Sequence, residues 1–278
     1  MSLEMIILLA VLAGVPGDTN AAVTPDADAA ELSAEGSSIS GQPGLLLEDM
    51  AEKVMATGKL NPNFYPAQRA AMVVQHFLNS RYGSPYKWFG LQKVHRANAM
   101  DVADNERKYE VEIQVQEAIS NMTETCSAKV VFFTGPEQKP PQVHASCDDL
   151  AKINTTAQEE ALYQHYMAND GLLSAQYLPD SYGHIDPDMK PLWHLGAVAS
   201  SFVMLNESTE NTLYNFAQVA NVTQLKAEND DLKFDYHVLL HDMVSQEIIH
   251  WKLLVTWSPG EGVNVLKTEK LPHCQHCD

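Results

Sequence analysis

The feature that most restricts how this chain can fold is that it repeats itself. A shift of 125 residues places Pro66 on Pro191, and Ala70, Val73, Val74, Phe77 and Leu78 on Leu195, Val198, Ala199, Phe202 and Val203. The same shift carries Trp88, Phe89, Leu91 and Val94 onto Leu213, Tyr214, Phe216 and Val219. It carries Tyr109, Val111, Ile113 and Val115 onto Phe234, Tyr236, Val238 and Leu240, and Ala128, Val130 and Phe132 onto Leu253, Val255 and Trp257. Apolar falls on apolar throughout, which is the mark of a tandem duplication.

Each copy has a readable order. In YPAQRAAMVVQHFLNSRYG the apolar residues from Ala70 to Leu78 form one stripe at helical spacing. Pro66 suits the first turn of that helix and Gly83 its end. In KYEVEIQVQ, Tyr109, Val111, Ile113 and Val115 alternate with polar neighbours, as in a half-buried antiparallel strand. Two further strands flank TGPEQKPP. The expected fold class is therefore α+β: two tandem units, each one long helix on an antiparallel sheet of about four strands. The expected boundaries are 61–150 for the first unit and 187–271 for the second. Between them, 151–186 reads as a helical linker, with Ala161, Leu162 and Tyr166 as its apolar stripe.

Outside the repeat, Met5 to Val15 is an apolar run too short to span a membrane and of signal-peptide size, so 1–21 is expected to be a cleaved leader. An uncleaved anchor is the alternative, since no Lys or Arg precedes the run. Residues 22–60 are acidic and poor in large apolar side chains, and are expected to be disordered. Four N-glycosylation acceptors, at Asn121, Asn154, Asn206 and Asn221, point with the leader to an extracellular protein. The formal net charge of −18 disfavours nucleic acid as a partner.

The cysteines fit the same compartment. Cys126 and Cys147 fall near the start of one strand and the end of its antiparallel neighbour, opposite each other, where a disulfide is geometrically natural. The second copy has Trp251 and Pro272 at the equivalent places, so only the first is stapled. The tail 272–278, reading PHCQHCD, carries Cys274 and Cys277 between histidines. A metal or exchange site is open to it, but it has no second ligand pair in sequence, and a local or intermolecular disulfide is the expected state.

No phosphate-binding glycine loop, zinc-protease helix or nucleophile elbow occurs. His241 beside Asp242, and His184 near Asp186, have the residue types of a base with its carboxylate, but both sit where turns are expected. No catalytic residue, metal, cofactor or small-molecule substrate is assigned. Exposed hairpin turns on a duplicated scaffold suit the binding of a protein.

The second copy carries the phrases GHIDPDMKPLWHLGAVASSFVM, ENDDLKFDYHVLLHD and SQEIIHWKLLVTW, which resemble the latexin family over roughly residues 62–271. The leader, the Cys126–Cys147 pair and the cysteine-bearing tail look more like the leader-bearing members of that family. The resemblance implies two tandem cystatin-like domains and inhibition of zinc metallocarboxypeptidases of the carboxypeptidase A type. It implies an inhibitory loop within HDMVSQEII, comprising His241, Asp242, Ser245, Gln246 and Glu247, with Gln246 presented to the enzyme's entrance and interdomain loops adding to the contact. Two departures stand out. The cystatin Q-x-V-x-G hairpin is incomplete in LQKVHRA and AQVANVT, and His250 stands where the family has Pro. The alternative is a matrix or cell-surface interaction protein that kept the scaffold without inhibition.

Overall fold

The computed structural model describes residues 57–103, 105–136, 138–168, 172–226 and 231–272. The expected leader, most of the acidic stretch and the two tail cysteines lie outside them. The elements run β1 (Gly58–Leu60), α1 (Tyr65–Tyr82), β2 (Phe89–Ala103), β3 (Glu106–Glu117), β4 (Thr123–Phe133) and β5 (Gln142–Ser146). After a short α2 (Asp148–Ala151) and α3 (Thr156–Ala168) come β6 (Ser174–Leu178), α4 (Lys190–Glu207), β7 (Tyr214–Leu225), β8 (Leu232–Asp242), β9 (Glu247–Ser258) and β10 (Gly262–Lys270). The architecture is α+β with two antiparallel sheets, ordered β1-β2-β3-β4-β5 and β10-β9-β8-β7-β6.

Each sheet has five strands, one more than expected, and the extra strand precedes the long helix in both halves. Gly58–Leu60 pairs with Ala99–Ala97, and Ser174–Leu178 pairs along Thr223–Val219. The first lies in a stretch read as disordered and the second in one read as linker. Both are short edge strands with mostly exposed side chains, so neither carries an alternation that a sequence pattern would register.

The duplication is structural through the long helices and the three strands that follow each of them. Helices α1 and α4 begin and end 125 residues apart. Strand β2 departs from regular pairing at Leu91/Lys93 and Val94/Arg96, and β7 does so at Phe216/Gln218 and Val219/Asn221, again 125 residues on. Such bulges bend and twist a strand, here so that each sheet curls around its helix. Two cores result. One gathers Val74, Leu78, Ile113, Val130 and Phe132. The other gathers Leu195, Val203, Tyr236, Val238, Leu253 and Trp257. Gly196 lets α4 lie close on its sheet: a Cβ there would stand 2.8 Å from Val219 and 3.1 Å from the Tyr236 ring.

The halves meet through their helices and the loops that follow them. Arg69 donates to the Glu210 carbonyl at 2.5 Å, and the Tyr109 hydroxyl to the Glu210 carboxylate at 2.7 Å. Arg107 Nε lies 3.3 Å from the same carboxylate. His76 Nε2 is 3.2 Å from the Tyr214 carbonyl, and Trp88 packs on Trp193 with centroids 5.7 Å apart. Helix α3 adds Leu162 and Tyr166 to the second core, as its stripe implied, whereas Ala161 is exposed and Tyr163 packs edge-on to Trp257 instead. No described helix is long and apolar enough to cross a membrane.

Candidate functional site

The β8–β9 turn brings the five expected loop residues together within seven positions but gives them different tasks. Alternation along β8 turns Asp242 inward and leaves His241 half-buried on the opposite face. The pair is therefore no base beside its carboxylate. Asp242 is instead the fastening of the turn. Its Oδ1 accepts the Leu213 amide at 3.0 Å and the Val244 amide at 3.1 Å, and its Oδ2 accepts the Ser245 hydroxyl at 3.0 Å. Burial alone would raise its pKa, but these donors outweigh that and hold the carboxyl below its ordinary value.

Gln246 closes the turn in the left-handed region, at φ 61°. Its amide donates to the Asp242 carbonyl at 2.8 Å, and its side-chain Nε2 to the Met243 carbonyl at 2.6 Å. The side-chain nitrogen is thus engaged locally while the residue as a whole is exposed. Glu247 is exposed at the start of β9, paired with Asp242 across the ladder. Around these polar residues stand Met243, Val244 and Ile248, each more than a third exposed. The result is a rigid tip with an apolar rim, an arrangement that loses little ordering entropy on docking. It has the character of a protein-contact surface.

The apolar rim and the clamp were not singled out in the sequence, yet a signal for the clamp was available. Carried back by 125 residues, Asp242, Ser245 and Gln246 become Glu117, Ser120 and Asn121. Glu117 fastens the β3–β4 turn in the same way: it accepts the amides of Trp88 at 3.2 Å, Ile119 at 3.1 Å and Ser120 at 2.7 Å. Asn121, like Gln246, is left-handed, at φ 58°. The first half therefore carries a turn of the same construction.

The remaining expected residues are dispersed. His184 and Asp186 serve local turns: the His184 amide donates to Asp180 at 2.8 Å, and Asp186 accepts the Asp188 amide at 2.9 Å. Asn121 and Asn154 lie exposed on a turn and before α3, and Asn206 is exposed in the last turn of α4. Asn221 is half-buried at a β7 bulge. Cys126 and Cys147 form the expected disulfide, with Cα atoms 5.0 Å apart.

A family model described as Latexin matches residues 60–275. Latexin of Mus musculus is 34% identical over 215 residues, covering 77% of this chain and 97% of the relative. Retinoic acid receptor responder protein 1 of Homo sapiens is 33% identical over 219 residues, covering 75% of this chain and 71% of the relative. Ovocalyxin-32 of Gallus gallus is 30% identical over 208 residues, covering 74% of each. The matched span takes in both long helices and both curled sheets. The chain belongs to the latexin family.

Proposed function

We propose that this chain is a protein inhibitor of a zinc metallocarboxypeptidase of the carboxypeptidase A type. In this reading the scaffold is two tandem cystatin-like domains, 61–150 and 187–271, joined by a segment that contains α3. The β8–β9 turn, from His241 to Glu247, is laid against the entrance of the enzyme's active site, and loops between the halves widen the contact. Membership of a family of protease inhibitors supports the reading. The observation that carries it is the turn itself, clamped by Asp242 and rimmed by Met243, Val244 and Ile248. The chain works by occupying an enzyme rather than by catalysis. The expected leader and the acceptor sequences at Asn121, Asn154, Asn206 and Asn221 suit an extracellular place of action.

The test is a titration of a carboxypeptidase A-type enzyme with the chain from Ala22 onward, made in an oxidising host, beside a Gln246→Ala variant. Stoichiometric loss of activity, weakened by the variant, is the expected result. Full activity at micromolar excess of the chain would leave a scaffold that binds some other extracellular or cell-surface protein.

A further inference from the structure

The β3–β4 turn of the first half repeats the construction of the β8–β9 turn, rim included. Its clamp, Glu117, is buried, and the Glu117 amide donates to the Met122 carbonyl at 2.8 Å. Ile119 and Met122 stand 45% and 47% exposed beside it, as Val244 and Ile248 stand 43% and 47% exposed in the second half. One molecule thus carries two rigid tips with apolar rims. They differ at the apex. Asn121, Met122 and Thr123 form an N-glycosylation acceptor, where the second turn has Gln246, Glu247 and Ile248, which cannot take a sugar.

The four acceptors are not equally open. Asn221 is half-buried within β7, paired with Gln176 on one side and His237 on the other. At Asn206 the acceptor hydroxyl, on Ser208, is buried and donates to the Met204 carbonyl at 2.5 Å. At Asn154 the side chain accepts the Thr156 amide at 3.0 Å, and the middle residue, Thr155, is buried. Asn121 alone of the four has all three acceptor residues exposed. Its side chain accepts from Gln116 Nε2 through Oδ1, at 3.2 Å on the exposed surface, which leaves Nδ2 for the sugar. Its left-handed backbone, at φ 58°, is one that asparagine adopts readily and that a substituent on Nδ2 does not touch.

We propose that Asn121 carries an N-linked glycan whose first sugars lie over Ile119 and Met122 and close this tip as a contact surface. Attachment forms a bond between Asn121 Nδ2 and the anomeric carbon of the first sugar. The bond from that carbon to a lipid diphosphate donor breaks, the diphosphate leaves with the electron pair, and Nδ2 releases one proton. Ile119 lies two residues before the attachment point and Met122 directly after it. Sugars present apolar C–H faces as well as hydroxyls, so settling on this rim removes apolar surface from water. The clamped turn holds the attachment point still, so little further freedom is lost. The glycan thereby leaves the β8–β9 turn as the one bare tip. This rests on the extracellular reading above, and not on which enzyme the bare tip meets.

The test is the full chain expressed in cultured animal cells, beside a Thr123→Ala variant that removes the acceptor through one exposed side chain and keeps Asn121. Glycopeptide mass spectrometry reads occupancy at each of the four acceptors. Dilute hydrogen peroxide then reads the covering, as the rate of sulfoxide formation at Met122 relative to Met243 in the bare turn. Asn121 should be occupied in most molecules of the secreted chain. The Met122 to Met243 ratio should rise several-fold in Thr123→Ala, and equally when the glycan is removed enzymatically from the native chain. A secreted chain with sugar on other acceptors and Asn121 bare would overturn the proposal and leave the extracellular reading standing. An occupied Asn121 with an unchanged methionine ratio would overturn the covering. A chain retained in the cytosol with all four acceptors bare would overturn the extracellular reading and the proposal with it.

Discussion

Asp242 and Glu117 occupy matching positions, and each gathers three donors into one carboxylate. Removing either carboxylate leaves buried amides without a partner, at about 1–3 kcal/mol. We expect Asp242→Ala and Glu117→Ala to lower the urea midpoint by similar amounts. Under the proposed function, inhibition should weaken only in Asp242→Ala, because that reading sets only its turn, of the two, against the enzyme. Equal loss of inhibition in both would show that general stability, not the second turn, governs binding. The depressed pKa of Asp242 also sets a sign. Its contribution is complete above the ordinary value near 3.8 and is lost as pH falls through its lower folded value, so the turn is intact at neutral pH.

The staple between Cys126 and Cys147 joins β4 to the end of β5, and nothing equivalent joins β9 to β10. Closing a loop with a sequence separation of 21 restricts the unfolded chain by about 3 kcal/mol in the chain-entropy model. A Cys126→Ala/Cys147→Ala variant is expected to lose stability of that order by urea denaturation while the second core is unaffected. Elements of this kind were legible in the sequence because long runs carry their own period. The long helices and the strands from β2 to β4 and from β7 to β9 each bury alternate or stripe-spaced residues, and duplication displayed every one twice. Strands β1 and β6 were not legible: three and five residues with one buried side chain each contain no period to read. The clamps were hidden for a different reason. Apolar positions tolerate exchange within a broad class, but Glu117 against Asp242 and Asn121 against Gln246 show a common role only once the hydrogen bonds are seen.

Across the whole molecule, the two halves are joined by polar contacts as well as by packing. His76, fully buried in α1, reaches the Tyr214 carbonyl of the other half, and burial lowers its pKa from 6.5 to about 4 against the weaker, raising effect of that bond. The unfolded chain therefore binds this proton more readily. Stability is unaffected by His76 above about pH 6.5, then falls as pH drops towards 4, by roughly 3 kcal/mol in all. We expect urea midpoints measured between about pH 7 and pH 4.5 to decline, and His76→Gln to flatten that decline. A slope unchanged by the substitution would place the acid sensitivity elsewhere.

The one-sided staple has a further consequence. Two sheets whose central strands correspond at one constant offset, with two bulges at matching positions, are templates for one another, and a growing chain could hand a strand of one half to the sheet of the other. A covalent link between neighbouring strands of one half marks that sheet as already complete. The oxidised chain is thereby told its two copies apart.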